Sequence, residues 1–300
     1  MKRLPLAALA ALLLPAAVHA EDAPCPPFEV TGTGPDLVLV PGLGSSPETW
    51  SVVKESLAKD YRLHLVHVAG FAGRPAQGDP ARVLENTKAE IIRHLDCQKI
   101  ASAAYAGHSL GGFLGLMLGA DHPDRITRVV VVDSLPFFPL IYNPGATVAG
   151  TRRIAEDTRI GLLAQDRDSF AEGQRRGVMS LVRNPAWQGK VADWSIASDR
   201  ASFAHAIHTL MTSDMRPRLA EVKVPVRVIA AANIYAPRVR VEPLFAAAYA
   251  GTPDFRLTVI EDSFHFVMFD QPAAFEKALR EGLAETDPAP APAPAPAPQP

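Results

Sequence analysis

The sequence predicts an α/β chain: a mostly parallel, doubly wound sheet with a helical cap inserted after the strand that ends at Asp133. Three observations predict it. Short apolar runs alternate with helix-period stretches, the pattern of a parallel sheet covered by helices. The runs are continuously apolar, as strands buried on both faces are. One interval of about ninety residues, Ser134 to Lys223, carries helical patterning and no convincing strand.

In chain order, Leu37 to Val40 is the first clear strand, stopped by Pro41-Gly42. Arg62 to Val68 is the second, and Ile100 to Ala106 a weaker third that ends at Gly107. Arg128 to Val132 is the fourth, with four consecutive valines before Asp133. Val224 to Ala230 and Phe255 to Ile260 are the fifth and sixth. Helices are predicted over Thr49 to Lys59, Ala81 to Leu95, Leu110 to Ala120, Pro243 to Tyr249 and Pro272 to Leu283. Pro272 suits a helix start, where its missing N–H removes no intrahelical bond. A structureless loop of ninety residues is uncommon inside a compact domain. The interval about 134–223, with Trp187, Trp194, Met179, Met211 and Met215, therefore reads as a helical cap.

The two ends differ from this middle. Residues 1–20 have Lys2 and Arg3, an apolar run from Leu6 to Leu14, and small residues around Val18-His19-Ala20. That is a secretory signal with cleavage after Ala20. The run is too short for a membrane anchor, which needs about 20 apolar residues. Residues 21–284 form the α/β domain. In residues 285–300, proline alternates with alanine from Pro288 to Pro298. A segment lacking every second N–H builds no core and is expected to be an extended, solvated tail. The chain is expected to be exported, to the periplasm or the medium.

Losing Lys2 and Arg3 with the signal moves the net charge from -2 to -4. That mild value argues against nucleic-acid binding. The two cysteines, Cys25 and Cys97, can form a disulfide in an oxidising compartment.

Gly107-His108-Ser109-Leu110-Gly111 lies between a predicted strand and a predicted helix. A serine at such a turn stands at the tip in a strained conformation with its hydroxyl exposed. Bulky residues two before and two after it would collide, and glycine at 107 and 111 removes that collision. The helix N-terminus directs N–H groups to where negative charge develops.

With this elbow, the Pro41-Gly42-Leu43-Gly44 loop and a late histidine, the sequence resembles the α/β-hydrolase fold serine esterases, from about Asp36 to Leu283. The resemblance implies Ser109 as nucleophile and the backbone N–H groups of Leu43 and Leu110 as oxyanion donors. It implies His265 as base, in the loop after the last strand. His64 with His67, and His205 with His208, show no metal-site pattern, and His108 stands behind the serine. No metal or cofactor is called for.

The acid is the open point. Most of the family carries Asp or Glu just after the fifth strand, where this chain has Ala230-Ala231-Ala232-Asn233. Some members carry it at the end of the preceding strand, here Asp133. Asn233 is the alternative orienting residue, with Asp262 and Asp270 weaker candidates. The implied reaction is two-step acyl transfer on a small, apolar carboxylic ester, or a lactone or thioester. Leu135, Phe137, Phe138, Leu140 and Ile141 are expected to line the acyl pocket. The missing carboxylate also keeps open a non-catalytic binding protein that retained the fold.

Overall fold

A computed structural model describes residues 25–284 of the protein; the predicted signal and the Pro/Ala tail lie outside the described residues. Its centre is one seven-stranded sheet. The strands are β1 (Glu29–Thr31), β2 (Asp36–Val40), β3 (Arg62–Leu65), β4 (Ala103–His108), β5 (Ile126–Val132), β6 (Val226–Ala231) and β7 (Phe255–Ile260). Their spatial order is β1-β3-β2-β4-β5-β6-β7. All neighbours are parallel except β1, which runs antiparallel to β3 with Val30 opposite His64.

The sheet is buried where its sequence is most apolar. Val129 to Val132 are fully buried, and burying one valine contributes roughly 1.5–3 kcal/mol. Edge strand β7 alternates, with Arg256 and Thr258 exposed. Helices α1 (Ser51–Leu57), α2 (Val83–Cys97) and α3 (Leu110–Asp121) follow the first strands. Between β5 and β6 the chain makes α4 (Val148–Ala164), α5 (Arg167–Gly177), α6 (Pro185–Ile196) and α7 (Arg200–Thr212), with short 3-10 turns and no strand. Helices α8 (Arg238–Ala248), α9 (Val267–Asp270) and α10 (Pro272–Ala284) complete the chain. Among the described residues no helix is long and apolar enough to cross a membrane. Cys25 and Cys97 are joined, with Cα atoms 5.9 Å apart.

Several predicted boundaries move. The second strand stops at Leu65, so His67 lies beyond the sheet, its Nε2 2.9 Å from the Phe71 carbonyl. The fifth starts at Val226 because Pro225 has no N–H to give the ladder. The helix expected to start at Pro243 starts at Arg238 and contains Pro243. Proline there leaves the Val239 carbonyl without its helical donor. Val239 is 78% exposed, so water can serve that carbonyl. Strand β1 has no counterpart in the sequence pattern: three residues, two of them exposed, give no readable alternation.

Candidate active site

Ser109 is the hinge between β4 and α3. Its backbone has φ 53° and ψ −117°, a left-handed conformation that costs an L-residue of order 1–3 kcal/mol. The surroundings hold it there. The Ser109 N–H donates to the Val132 carbonyl at 2.8 Å, and Phe113 N–H donates to the Ser109 carbonyl at 3.0 Å. The Tyr105 hydroxyl donates to the Gly111 carbonyl at 2.6 Å, clamping the first turn of α3 to the strand before it. A Cβ on Gly107 would overlap the Gly111 backbone, and one on Gly111 would overlap the Val40 carbonyl. The turn is therefore closed by backbone-to-backbone contact that only glycine permits.

Asp133 leaves β5 with φ 47°, beyond the run of valines. Its N–H donates to the Ile229 carbonyl at 2.7 Å, and its Oδ1 accepts from the Ala231 N–H at 2.9 Å. These bonds to the neighbouring strand fix the carboxylate at the carboxyl end of the sheet, where ligands of open α/β sheets bind. Its Oδ2 accepts from His265 Nδ1 at 2.6 Å. A carboxylate only accepts, so the imidazole carries a proton on Nδ1 in this contact, and in the neutral ring Nε2 is then the acceptor.

The loop holding His265 is fastened at several points. Phe264 N–H donates to Asp270 Oδ2 at 2.8 Å. The same Asp270 carboxylate accepts from the Arg183 and Asn184 N–H groups, tying the histidine loop to the insert. Asn233 Nδ2 donates to the Ser263 carbonyl at 3.1 Å, and its Oδ1 accepts from the Tyr235 and Ala236 N–H groups. Asn233 thus holds the loop before His265, and its hydrogen bonds go to backbone. Asp262 faces Arg183 at 3.4 Å.

His108 lies under His265, with ring centroids 4.5 Å apart. Its Nε2 donates to the His265 carbonyl at 3.0 Å. Full burial, reinforced by the neighbouring His265, pushes the His108 imidazole well below its ordinary pKa and keeps it neutral. On the other side, Gly42 presses against the serine: a Cβ there would stand 3.1 Å from Ser109 Cβ. This brings the Pro41-Gly42-Leu43 loop beside the elbow, with Leu43 half-buried against the core.

Ser109, Leu110, Asp133 and His265 line one cavity of about 830 Å³ between the sheet and the helical insert. Its walls are mainly apolar. Of the five residues expected to line it, Leu135, Phe138 and Ile141 do. Phe137 and Leu140 are instead buried in the core, and Arg216 lies over the Phe137 ring. The turn after Asp133 bends into a 3-10 segment at Phe138–Ile141, so neighbouring side chains diverge. Sequence reasoning missed Arg176, Tyr235 and Arg240 as lining residues. The available signal was weak: a short loop, Asn233 to Pro237, follows a strand end that already faces the site. His208 lies 3.6 Å from Glu156 of α4, an acid that sequence spacing had not placed near it.

Residues 37–278 match the Alpha/beta hydrolase family, and the chain belongs to that family. It is 29% identical over 255 residues to a pimeloyl-(acyl-carrier protein) methyl ester esterase of Edwardsiella ictaluri (strain 93-146), covering 82% of this chain and 92% of that protein. Among solved structures it is similar to the enol-lactonase from Burkholderia xenovorans LB400, with TM-score 0.69 and 23% identity over 86% of this chain and 96% of that one. It is also similar to the esterase EaEST from Exiguobacterium antarcticum, with TM-score 0.68 and 20% identity over 85% and 93%. At these identities the two structures speak for the fold.

Proposed function

We propose that the protein is an exported serine hydrolase that cleaves an apolar carboxylic ester through an acyl-enzyme on Ser109. The observation that carries the reading is the Asp133–His265 hydrogen bond of 2.6 Å, set in the cavity that Ser109 also lines. A hydroxyl is a weak nucleophile until a base takes its proton. With Nδ1–H given to Asp133, Nε2 of His265 is the base that takes the Ser109 proton. Ser109 Oγ then attacks the carbonyl carbon. The N–H groups of Leu43 and Leu110 receive the oxyanion. His265 returns its proton to the departing alcohol. Water, deprotonated in turn by His265, attacks the acyl-serine and releases the acid.

Asp133 supports this cycle by holding the ring in one tautomer and offsetting the imidazolium charge. The non-catalytic alternative rested on the missing carboxylate after β6. Asp133 makes the same contact from the end of β5, which favours the enzyme. The names of the relatives favour an ester over a peptide bond, and the apolar cavity wall favours an apolar acyl chain. Export follows from residues 1–20 alone and rests on their pattern.

The test is a panel of esters, lactones and thioesters of graded chain length, with Ser109→Ala as the blank. Turnover of at least one ester by the native protein, abolished in Ser109→Ala, is expected. Equal rates in the two proteins would contradict the reading.

A further inference from the structure

The cavity above Ser109 is not electrically neutral. Two arginines line it, Arg176 of α5 and Arg240 of α8, against one acidic residue, Asp133. Both Asp133 oxygens are engaged, Oδ2 by His265 and Oδ1 by the Ala231 N–H. Arg176 shares its charge with Glu172 one helical turn away, at 2.7 Å. Arg240 has no carboxylate partner among the described residues. The nearest acid in sequence, Glu242, is taken by Arg238 at 2.8 Å.

Fold stability gives no reason for a cation at this position. Arg240 lies in the first turn of α8, which has no acidic residue and no side-chain cap. The helix macrodipole disfavours a positive charge there. Arg240 is exposed and lines the cavity, so an anionic group in that cavity is within its field. The same mouth carries large exposed apolar side chains, Ile141, Tyr142, Met179 and Tyr235. A ligand matching both features has an apolar body and an anionic end.

We infer that the cavity takes esters whose apolar acyl chain ends, away from the scissile bond, in a carboxylate, and that Arg240 holds that carboxylate. The inference rests on the ester-hydrolase reading above and names its substrate class. A guanidinium presents a planar fork that matches a carboxylate with two parallel hydrogen bonds. Arg176, already paired, adds to the field at the mouth.

The test compares two methyl esters of equal chain length, one ending in a carboxylate and one in a methyl group. The native protein is expected to favour the carboxylate-ended ester about tenfold in kcat/KM, the size of one charge-assisted hydrogen-bonded contact. That ratio should shrink at high salt. In Arg240→Gln the ratio should fall to about one, and in Arg240→Glu it should invert. Because each protein serves as its own reference, a general loss of activity does not mimic the result. A ratio in Arg240→Glu equal to that of the native protein, or a native preference for the methyl-ended ester, would overturn the inference. Should neither these two esters nor any ester of the panel above be turned over, the ester reading fails. Calorimetric binding of the matching methyl ketones to Ser109→Ala then reads the same preference without turnover. Equal affinity for the two ketones would overturn the inference on its own.

Discussion

His265 Nδ1 stands 2.6 Å from Asp133 Oδ2, although 132 residues of chain separate the two. Between them in sequence lie the whole helical insert, β6, α8 and β7. The contact exists because β5, β6 and β7 are successive neighbours: Asp133 leaves the end of β5, His265 lies in the loop after β7, and the end of β6 between them holds both. Asp133 is anchored to Ala231, and the His265 loop is anchored to Ala232 and Asn233.

That relationship separates the two candidates for the orienting residue. Asp133→Asn should lower kcat about 10⁴-fold, since an amide offers the wrong hydrogen-bond pattern and no charge. Asn233→Ala should lower activity far less and should cost stability instead, roughly 1–2 kcal/mol for its lost backbone bonds. Steady-state kinetics and urea unfolding of both variants check this. Comparable loss of kcat in the two would remove the distinction.

The elbow predicts a steric failure. Gly111→Ala would drive a methyl group into the Val40 carbonyl and within 2.7 Å of the Pro41 carbonyl. Both obstacles are backbone, so neither can rotate aside. The variant should lose at least about 3 kcal/mol of stability or fail to fold. A denaturant midpoint equal to that of the native protein would contradict this.

The disulfide should matter even though it is remote from the site. Cys25 and Cys97 close a loop with a sequence separation of 72. Loop-closure entropy gives about 4 kcal/mol for a loop of that size. Reduction, or the Cys25→Ser/Cys97→Ser pair, should lower the unfolding free energy by about that amount. Loss of activity at 25 °C should be small, because α2 carries no residue of the cavity.

Acid sensitivity is built into the other end of the sheet. His64 Nδ1 and His94 Nε2 lie 2.9 Å apart and both side chains are buried. Burial, with His64 beside it, pushes His94 down to about 4, and burial lowers His64 as well. The unfolded chain titrates these groups near 6.5. Between about pH 6.5 and 4 the unfolded state therefore binds more protons, and stability falls as pH falls through that window. The expected loss is on the order of 2 kcal/mol. Urea unfolding at pH 7 and pH 4.5 should show it, and His94→Gln should show a shallower dependence.

Much of the fold was legible because its signals are local. Four valines before Asp133, a proline-glycine stop after Val40, and glycines spaced around Ser109 each state a backbone requirement within a few residues. That Ser109 and His265 face one cavity was legible by the same token, since each sits in a distinctive stretch beside a strand end. What the sequence could not rank was Asp133 against Asn233, because strand order decides which side chain reaches the imidazole. Phe137 and Leu140 were assigned to the pocket for a related reason: apolar character does not tell which way a turn aims it. Arg240 was missed because its meaning lies in what surrounds it, a cavity with no carboxylate to spare.

An activated nucleophile at Ser109 is open to covalent labelling by a reagent that needs one. The native protein is treated with a fluorophosphonate and the modified peptide is located by mass spectrometry. One label per chain on the peptide containing Ser109, absent in Ser109→Ala and strongly slowed in Asp133→Asn, is expected. A folded native protein that takes up no label, or takes it at a residue other than Ser109, would contradict it.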